Sequence, residues 1–296
     1  MISVTEAFDK FKARLEPSQS ELDDALRRQS DVRETIRANF DLDRDFLTGS
    51  YKRWTKTKPL RDIDLFCVLN ADAEGHYLRG SSRTLLDDFG KKLAEKYGGS
   101  NTAVGDKSVT VTFDQGKNPQ DERVLSIDVV PAFEEGKAYK IPDRYHPAGW
   151  MKTDPEIHAE LATKANKALD GKWVTLVKMV KKWNEHHGKP VSPSFLLEVM
   201  ALKLIVPPFS GGYKYELKSF FASAAREIHN VWPDPAGYGP PVSDAMTPAQ
   251  RSNASQVLTR TCRSVDDAMV AEQQGRIGGA LAIWQKNIFG ERFPKS

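Results

Sequence analysis

Asp62 and Asp64 stand one residue apart at the head of an apolar run, 63–69, and Asp128 stands inside a second apolar run between Ile127 and Val129. Side chains alternate along a strand with period two, so Asp62 and Asp64 share one face of the first run. Clustered carboxylates repel unless a cation lies between them, and hard divalent cations select such oxygen donors. A carboxylate within an apolar strand is costly to bury alone. Asp128 is therefore expected to join Asp62 and Asp64 at one metal site, the competing reading being a pair with a lysine or arginine from the basic stretch 52–61. The spacing alone is weak, because Asp41, Asp43 and Asp45 repeat it upstream, where we read a solvated helix end and turn. Context strengthens the later pair. Gly49 and Ser50 precede it at a strand-to-helix turn, where a small residue and exposed backbone N–H groups can cradle a triphosphate.

The elements that must hold these residues follow from the pattern. A short helix is predicted over 3–15. A second begins near Ser20, capped by Ser18 and Glu21 and apolar along Leu22, Ala25, Leu26, Val32 and Ile36. A buried strand is expected over 63–69 and a helix over 84–97, ended by Gly98 and Gly99. Strands over 108–113 and 124–130, the second ending at Pro131, read as a hairpin across the loop 115–123. Beyond a loop at 140–153 the chain becomes mainly helical. Trp173, Leu176, Val177, Val180 and Trp183 form one face, and further helices are expected over 194–206, 217–231 and 247–284, with a Pro/Gly-rich loop at 234–241. The division expected is a mixed α/β half, residues 1–150, and a helical half, 151–296, with a cleft between them.

Bulk properties narrow the function classes. A chain of 296 residues, 40% apolar and 28% charged, has the composition of a globular protein, and no run approaches the roughly 20 apolar residues that span a bilayer. Residues 1–10 lack the apolar run of a secretory signal, and the expected location is the cytoplasm. Cys67 and Cys262 lie far apart without metal-ligand spacing, so neither a disulfide framework nor a zinc module is expected. His186 and His187 read as structural residues that meet a helix dipole before Gly188. A net charge of +3 disfavours strong sequence-independent binding to nucleic acid.

The strings LTGSYKRWT (47–55), RDIDLF (61–66) and SIDVVPAF (126–133) together resemble the polymerase-β-like nucleotidyltransferase signature of the bacterial cGAS/DncV-like enzymes, the SMODS-type CD-NTases. LVKMVKKWN (176–184) and SPSFLLEVM (192–200) resemble the helical segment that follows the catalytic core in those proteins and in oligoadenylate synthases. The resemblance implies an α+β fold: a polymerase-β-like core with a mixed sheet and long N-terminal helix, then an oligoadenylate-synthase-like helical domain. It implies catalysis by Asp62, Asp64 and Asp128 with two Mg²⁺ ions, Mn²⁺ able to substitute, and nucleotide binding by Gly49, Ser50, Arg53, Lys178, Lys181 and Ser194. Arg53 and Thr55 match the family's run after Gly-Ser, and a loop-supporting role stays open for both. Lys178, Lys181 and Lys182 fall off the apolar stripe, so a merely solvated basic face is the competing reading there.

The implied activity joins nucleoside triphosphates, ATP among them, into a cyclic di- or trinucleotide messenger of antiphage (CBASS) signalling. An accessory protein that regulates the enzyme or modifies its C-terminus is an implied partner. Activation by duplex DNA is disfavoured, since no inserted zinc-ligand cluster is present. The alternative is a nucleotidyltransferase that adenylylates a macromolecule, tRNA or protein; a dead-site binding module is disfavoured by the intact acids.

Overall fold

The computed structural model describes residues 2–113, 126–209 and 211–295. Two capped helices open the chain: α1 (Val4–Leu15) behind the capping box of Ser3 and Glu6, and α2 (Gln19–Arg37) behind that of Ser18 and Glu21. The inward seam of α2 is Ala25, Gln29, Val32 and Ile36, at steps of four, three and four. Leu26, expected on that seam, lies one residue (about 100°) off it and is 61% exposed.

Then follow β1 (Leu42–Thr48), the single turn α3 (Gly49–Lys52), β2 (Asp62–Leu69), the short turns α4 (Ala71–Glu74) and α5 (His76–Arg79), and α6 (Ser82–Tyr97). Next come β3 (Thr102–Val104), β4 (Val109–Thr112), β5 (Ser126–Glu135), β6 (Ala138–Pro142) and β7 (Trp150–Thr153). The helical part is α7 (Pro155–Ala168), α8 (Lys172–His186), α9 (Phe195–Leu204), α10 (Tyr213–Glu227), α11 (Pro248–Gln273) and α12 (Ile277–Ile283).

The strands form one mixed sheet in the order β1-β2-β5-β4-β3, extended by β6 on β5 and by β7 on β6. Only the β2–β5 pairing is parallel among the described ladders. Odd-numbered residues of β2 (Ile63, Leu65, Cys67, Leu69) pack with Ile127 and Val129 of β5 against α2 and α6. Even-numbered Phe66 and Val68 pack on the other face with Ala132, Tyr139 and Ile141.

Three local expectations give way to tertiary pairing. The stretch with Asp41, Asp43 and Asp45, read as a helix end and turn, is the edge strand β1, and the Asp45 carboxylate is held by Arg33 and Arg37 of α2. β5 does not end at Pro131 but runs on to Glu135. Pro131 stays opposite Cys67 in the β2 ladder, and it falls after the β4 ladder has ended at Val129 and before the β6 ladder begins at Phe133, so neither of those two ladders needs its missing N–H. The expected loop 140–153 contains the β6–β7 hairpin. The antiparallel β4–β5 pairing is present, while the connecting loop 115–123 and Val124 and Leu125 lie outside the described residues.

The chain divides into two units, Met1–Glu16 with Glu160–Ser296, and Pro17–Ala159. This differs from a division at 150/151 for two physical reasons. The strand β7 stays with the sheet because it pairs with β6. Helix α1 joins the helical unit because Phe8 and Phe11 pack edge-on or tilted against Trp284, Phe289 and Phe293. Within that unit Trp173, Leu176, Val177, Val180 and Trp183 of α8 are all buried as their spacing predicts. At the end of α8, burial pushes His187 down to about 4, so it is neutral at pH 7 and does not meet the helix dipole as a cation.

One buried acid ties the α2 cap to the loop before β2. Glu21 is fully buried; its Oε2 accepts from the N–H and hydroxyl of Ser18, and its Oε1 accepts from the Leu60 N–H at 2.7 Å. Glu21→Ala is expected to destabilise the protein by about 2–4 kcal/mol in urea unfolding, through the lost cap and the orphaned Leu60 amide. Glu21→Gln, which keeps an acceptor, should lose less; equal losses would mean that the anionic charge and not the hydrogen bonding matters.

Candidate active site

The sheet register assembles the acids. Asp64 pairs with Asp128 across the parallel β2–β5 ladder, and Asp62, two residues earlier, pairs with Ser126. Residues directly opposite in a ladder share a face, so all three carboxylates lie at one end of the face that farther along carries Phe66 and Val68. On the flanking strands Thr48 pairs with Asp64 and Thr110 with Asp128.

Each acid has a different environment. Lys56 donates to Oδ1 of Asp62. Thr110 donates its hydroxyl to Oδ1 of Asp128 at 2.5 Å. The Asp64 carboxylate, between them, receives no hydrogen bond from the described residues. Burial, then the charges of Asp128 and Asp62, push Asp64 up to about 6, against the opposing pull of Lys56 and Arg53. Burial and the Asp62 charge likewise raise Asp128, while the Thr110 hydrogen bond lowers it. The competing expectation of a basic partner for Asp128 is thus answered by a neutral hydroxyl; the lysine goes to Asp62.

Gly49 is dictated by two constraints at once. Its φ is +63°, and a Cβ there would lie 1.6 Å from Oδ2 of Asp64. The backbone of the Gly-Ser turn thus lies directly against the central carboxylate. Ser50 lies in α3, and its carbonyl accepts from the Thr55 N–H at 3.0 Å, closing the turn. Arg53 and Thr55 are buried beneath it. Between them Trp54 is 70% exposed and holds a left-handed φ of 61°, a conformation that costs a non-glycine residue about 1–2 kcal/mol.

The donor set fits a hard divalent cation. A partly buried carboxylate without a hydrogen-bond donor, flanked by two like charges, is relieved by such an ion. Among the described residues no three His, Cys, Asp or Glu side chains are drawn together into a ready-made metal cage. Asp62 leans to Lys56, and release of that oxygen would let the three carboxylates converge, while Thr110 binds one oxygen of Asp128 and leaves the other to a cation.

Lys178, Lys181 and Ser194 belong to the helical unit. Lys178 pairs with Glu16 at 2.6 Å and Lys181 with Glu198 at 2.5 Å, both lysines buried, so neither lies on a solvated face. Ser194 is the N-cap residue of α9 and its side chain makes no capping bond. In the loop 234–241 the Asp234 carboxylate accepts from the N–H groups of Ala236, Tyr238 and Gly239, an Asx-type turn. Sequence reasoning missed Thr110 and offered Lys56 only as one of the basic residues of 52–61 that could pair with Asp128, not with Asp62. Thr110 alternates with Val109 and Val111 along β4, a signal that it faces the acids only once the register is known.

The family model described as the Second Messenger Oligonucleotide or Dinucleotide Synthetase (SMODS) domain matches residues 2–166. A probable cyclic nucleotide synthase of Bacillus cereus (strain VD146) is 30% identical over 273 residues, covering 83% of this chain and 81% of that protein. A cyclic AMP-AMP-AMP synthase of Acinetobacter sp. (strain ATCC 27244 / 9458) is 23% identical, covering 100% and 87%. Escherichia coli MS115-1 CdnC, solved with ATP, superposes with a TM-score of 0.75 at 19% identity over 99% of each chain. Its complex with HORMA-deltaN gives 0.73 at 18% identity over 98% of each. At these identities the structural likeness concerns the fold: a mixed sheet with helices, as in the CD-NTases.

Two expectations test the geometry. Gly49→Ala should destabilise the protein by about 1–2 kcal/mol through its φ, and displace Asp64, lowering turnover on the order of 100-fold. Turnover near that of the parent would mean that the turn does not abut the reacting groups.

The second concerns pH. A carboxyl whose folded pKa is raised from 3.8 to about 6 is unpenalised below about pH 4 and loses stability as pH rises through 4 to 6. Metal-free Asp64→Asn should therefore be more stable than the parent at pH 7.5 by about 1–3 kcal/mol, and similar to it at pH 4, in urea unfolding. Loss of stability at pH 7.5 would reveal a structural partner for Asp64.

Proposed function

The chain belongs to the family of second messenger oligonucleotide or dinucleotide synthetases, and we propose that it condenses nucleoside triphosphates, ATP among them, into a cyclic di- or trinucleotide with release of pyrophosphate. The observation that carries this reading is the single face on which Asp62, Asp64 and Asp128 stand, with the Gly49 backbone against Asp64.

Asp62 and Asp64 would hold both of two divalent cations, Mg²⁺ with Mn²⁺ as a substitute, and Asp128 would hold the one nearer the attacking hydroxyl. Bound there, such ions supply Lewis acidity at the ribose hydroxyl and at the departing pyrophosphate. The protein's own part is positioning. Ser50 and the backbone amides at the start of α3 offer donors to phosphate oxygens, and Arg53 adds positive charge beside Asp64. Thr110 holds the Asp128 carboxylate in one orientation, which keeps its second oxygen available.

Lys178, Lys181 and Ser194 complete our proposed nucleotide contacts. The two lysines are engaged with Glu16 and Glu198 in this structure, so a contact with phosphate requires those pairs to be shared or opened. The biological setting we propose is antiphage signalling in the cytoplasm; among the described residues no helix is long and apolar enough to cross a membrane. A regulatory protein partner is part of this proposal, supported by the CdnC complex with HORMA-deltaN.

The test is direct. Purified protein with each nucleoside triphosphate, singly and in mixtures, plus Mg²⁺ or Mn²⁺, is treated with phosphatase and analysed by mass spectrometry. Phosphatase-resistant cyclic di- or trinucleotides are expected, and the Asp62→Asn/Asp64→Asn variant should lose at least ~1000-fold in turnover. Product from that variant at the parental rate would remove the acids from the chemistry.

A further inference from the structure

We propose that Lys56 is an exchangeable counter-cation of the acid face: its ammonium holds Asp62 until a metal–triphosphate complex arrives, then transfers to a phosphate oxygen, coupling metal binding to nucleotide binding. This rests on the reading of Asp62, Asp64 and Asp128 as the metal-binding face.

The geometry singles out this lysine. Lys56 donates to Oδ1 of Asp62, an oxygen a cation would need, and it reaches it from a loop six residues upstream. The Asp62 side chain is 45% exposed and that of Lys56 is 17% exposed, so the pair opens onto water. Water reaches the acid of this pair, so a solvated cation can compete with Lys56 for it. By contrast, Lys181 and Glu198 are both buried, and opening that pair leaves an uncompensated charge in the interior. Of the two pairs, that of Lys56 is the one whose acid keeps contact with water when it opens.

Charge balance sets the direction of the exchange. Without metal, three carboxylates share Lys56 and Arg53 as the opposing charges that bear on Asp64. Divalent cations at the acids make Lys56 redundant there, and the triphosphate that accompanies them brings a new excess of negative charge, which a flexible ammonium meets as a point charge. The loop carrying Lys56 is anchored beyond it, where the Leu60 N–H binds buried Glu21, so the side chain can move while its loop stays in place. Lys56 is thus a positioning residue for the reaction, acting through Asp62 and through the phosphate.

The experiment measures Mn²⁺ binding by electron paramagnetic resonance on the full chain, with and without a non-hydrolysable ATP analogue. The variants are Lys56→Met, Lys56→Arg and Asp62→Asn/Asp64→Asn, each checked for folding by thermal melting. Without nucleotide, Lys56→Met should bind Mn²⁺ about 3–10-fold more tightly than the parent, because the competitor for Asp62 is gone. The tightening that the analogue gives the parent should shrink in that variant, and Lys56→Arg should restore it. A Lys56→Met protein that binds free Mn²⁺ no more tightly than the parent overturns the exchange and leaves Lys56 a loop clamp. If Asp62→Asn/Asp64→Asn binds Mn²⁺ like the parent, the acid face itself is misread and the inference falls with it. Loss of Mn²⁺ in that double variant together with an unchanged Lys56→Met defeats the lysine exchange alone.

Discussion

The parallel pairing of β2 with β5 is the constraint from which the rest of the unit follows. It sets Asp64 opposite Asp128, with Asp62 two residues before on the same face. Like charges so placed oppose folding, and the same two strands answer this on their other face. There Ile63, Leu65, Cys67, Ile127 and Val129 are fully buried against α2 and α6. Alternation separates the two faces: the odd residues of β2 contribute apolar burial against α2 and α6, while on the even face the acids Asp62 and Asp64 stand at the head of the strand and Phe66 and Val68 pack farther along. A slip of one residue in this ladder would exchange them, so the apolar face fixes the register of the acids.

The neighbours of the acids are specified with equal narrowness. Gly49 has to be glycine because of both its positive φ and the Asp64 carboxylate where a Cβ would stand. The turn is closed by Thr55 on Ser50, with Trp54 kept in a left-handed conformation between buried Arg53 and Thr55. Local strain at a site, kept by surrounding hydrogen bonds, is a common mark of function. The anchor is remote: the α2 capping-box glutamate also binds Leu60, so a helix N-terminus and the loop leading to Asp62 are held by one carboxylate.

The lysines fall into two physical classes that sequence does not separate. Lys56 is partly buried against an Asp62 that is half exposed, while Lys178 and Lys181 are buried on α8, the first against a half-exposed Glu16 and the second against a buried Glu198. Helical periodicity places both α8 lysines off the apolar stripe, yet α8 is packed so completely that its nominally polar side is enclosed too. Burial of this kind comes from neighbours distant in sequence, and a hydrophobicity pattern cannot report it.

Legible in the linear chain were the capping box of Ser18 with Glu21, the apolar face of α8 and, Leu26 apart, that of α2, the strand after Asp62 and the three acids with the Gly-Ser turn, because each is set by side-chain chemistry within a few residues or by a signature of residue types. The rest depends on contacts between segments distant in the chain. Asp41 to Asp45 look like a turn locally but become a strand beside β2; β5 passes through Pro131, which stays opposite Cys67 of β2 and falls between the β4 and β6 ladders; α1 joins the helical unit through rings near residue 290. The roles of Thr110 and Lys56 are of the same kind, since each depends on an acid made its neighbour by strand register or loop closure. Pairing partners and enclosure are properties of the assembled chain, and their energies outweigh the local propensities that a linear reading can weigh.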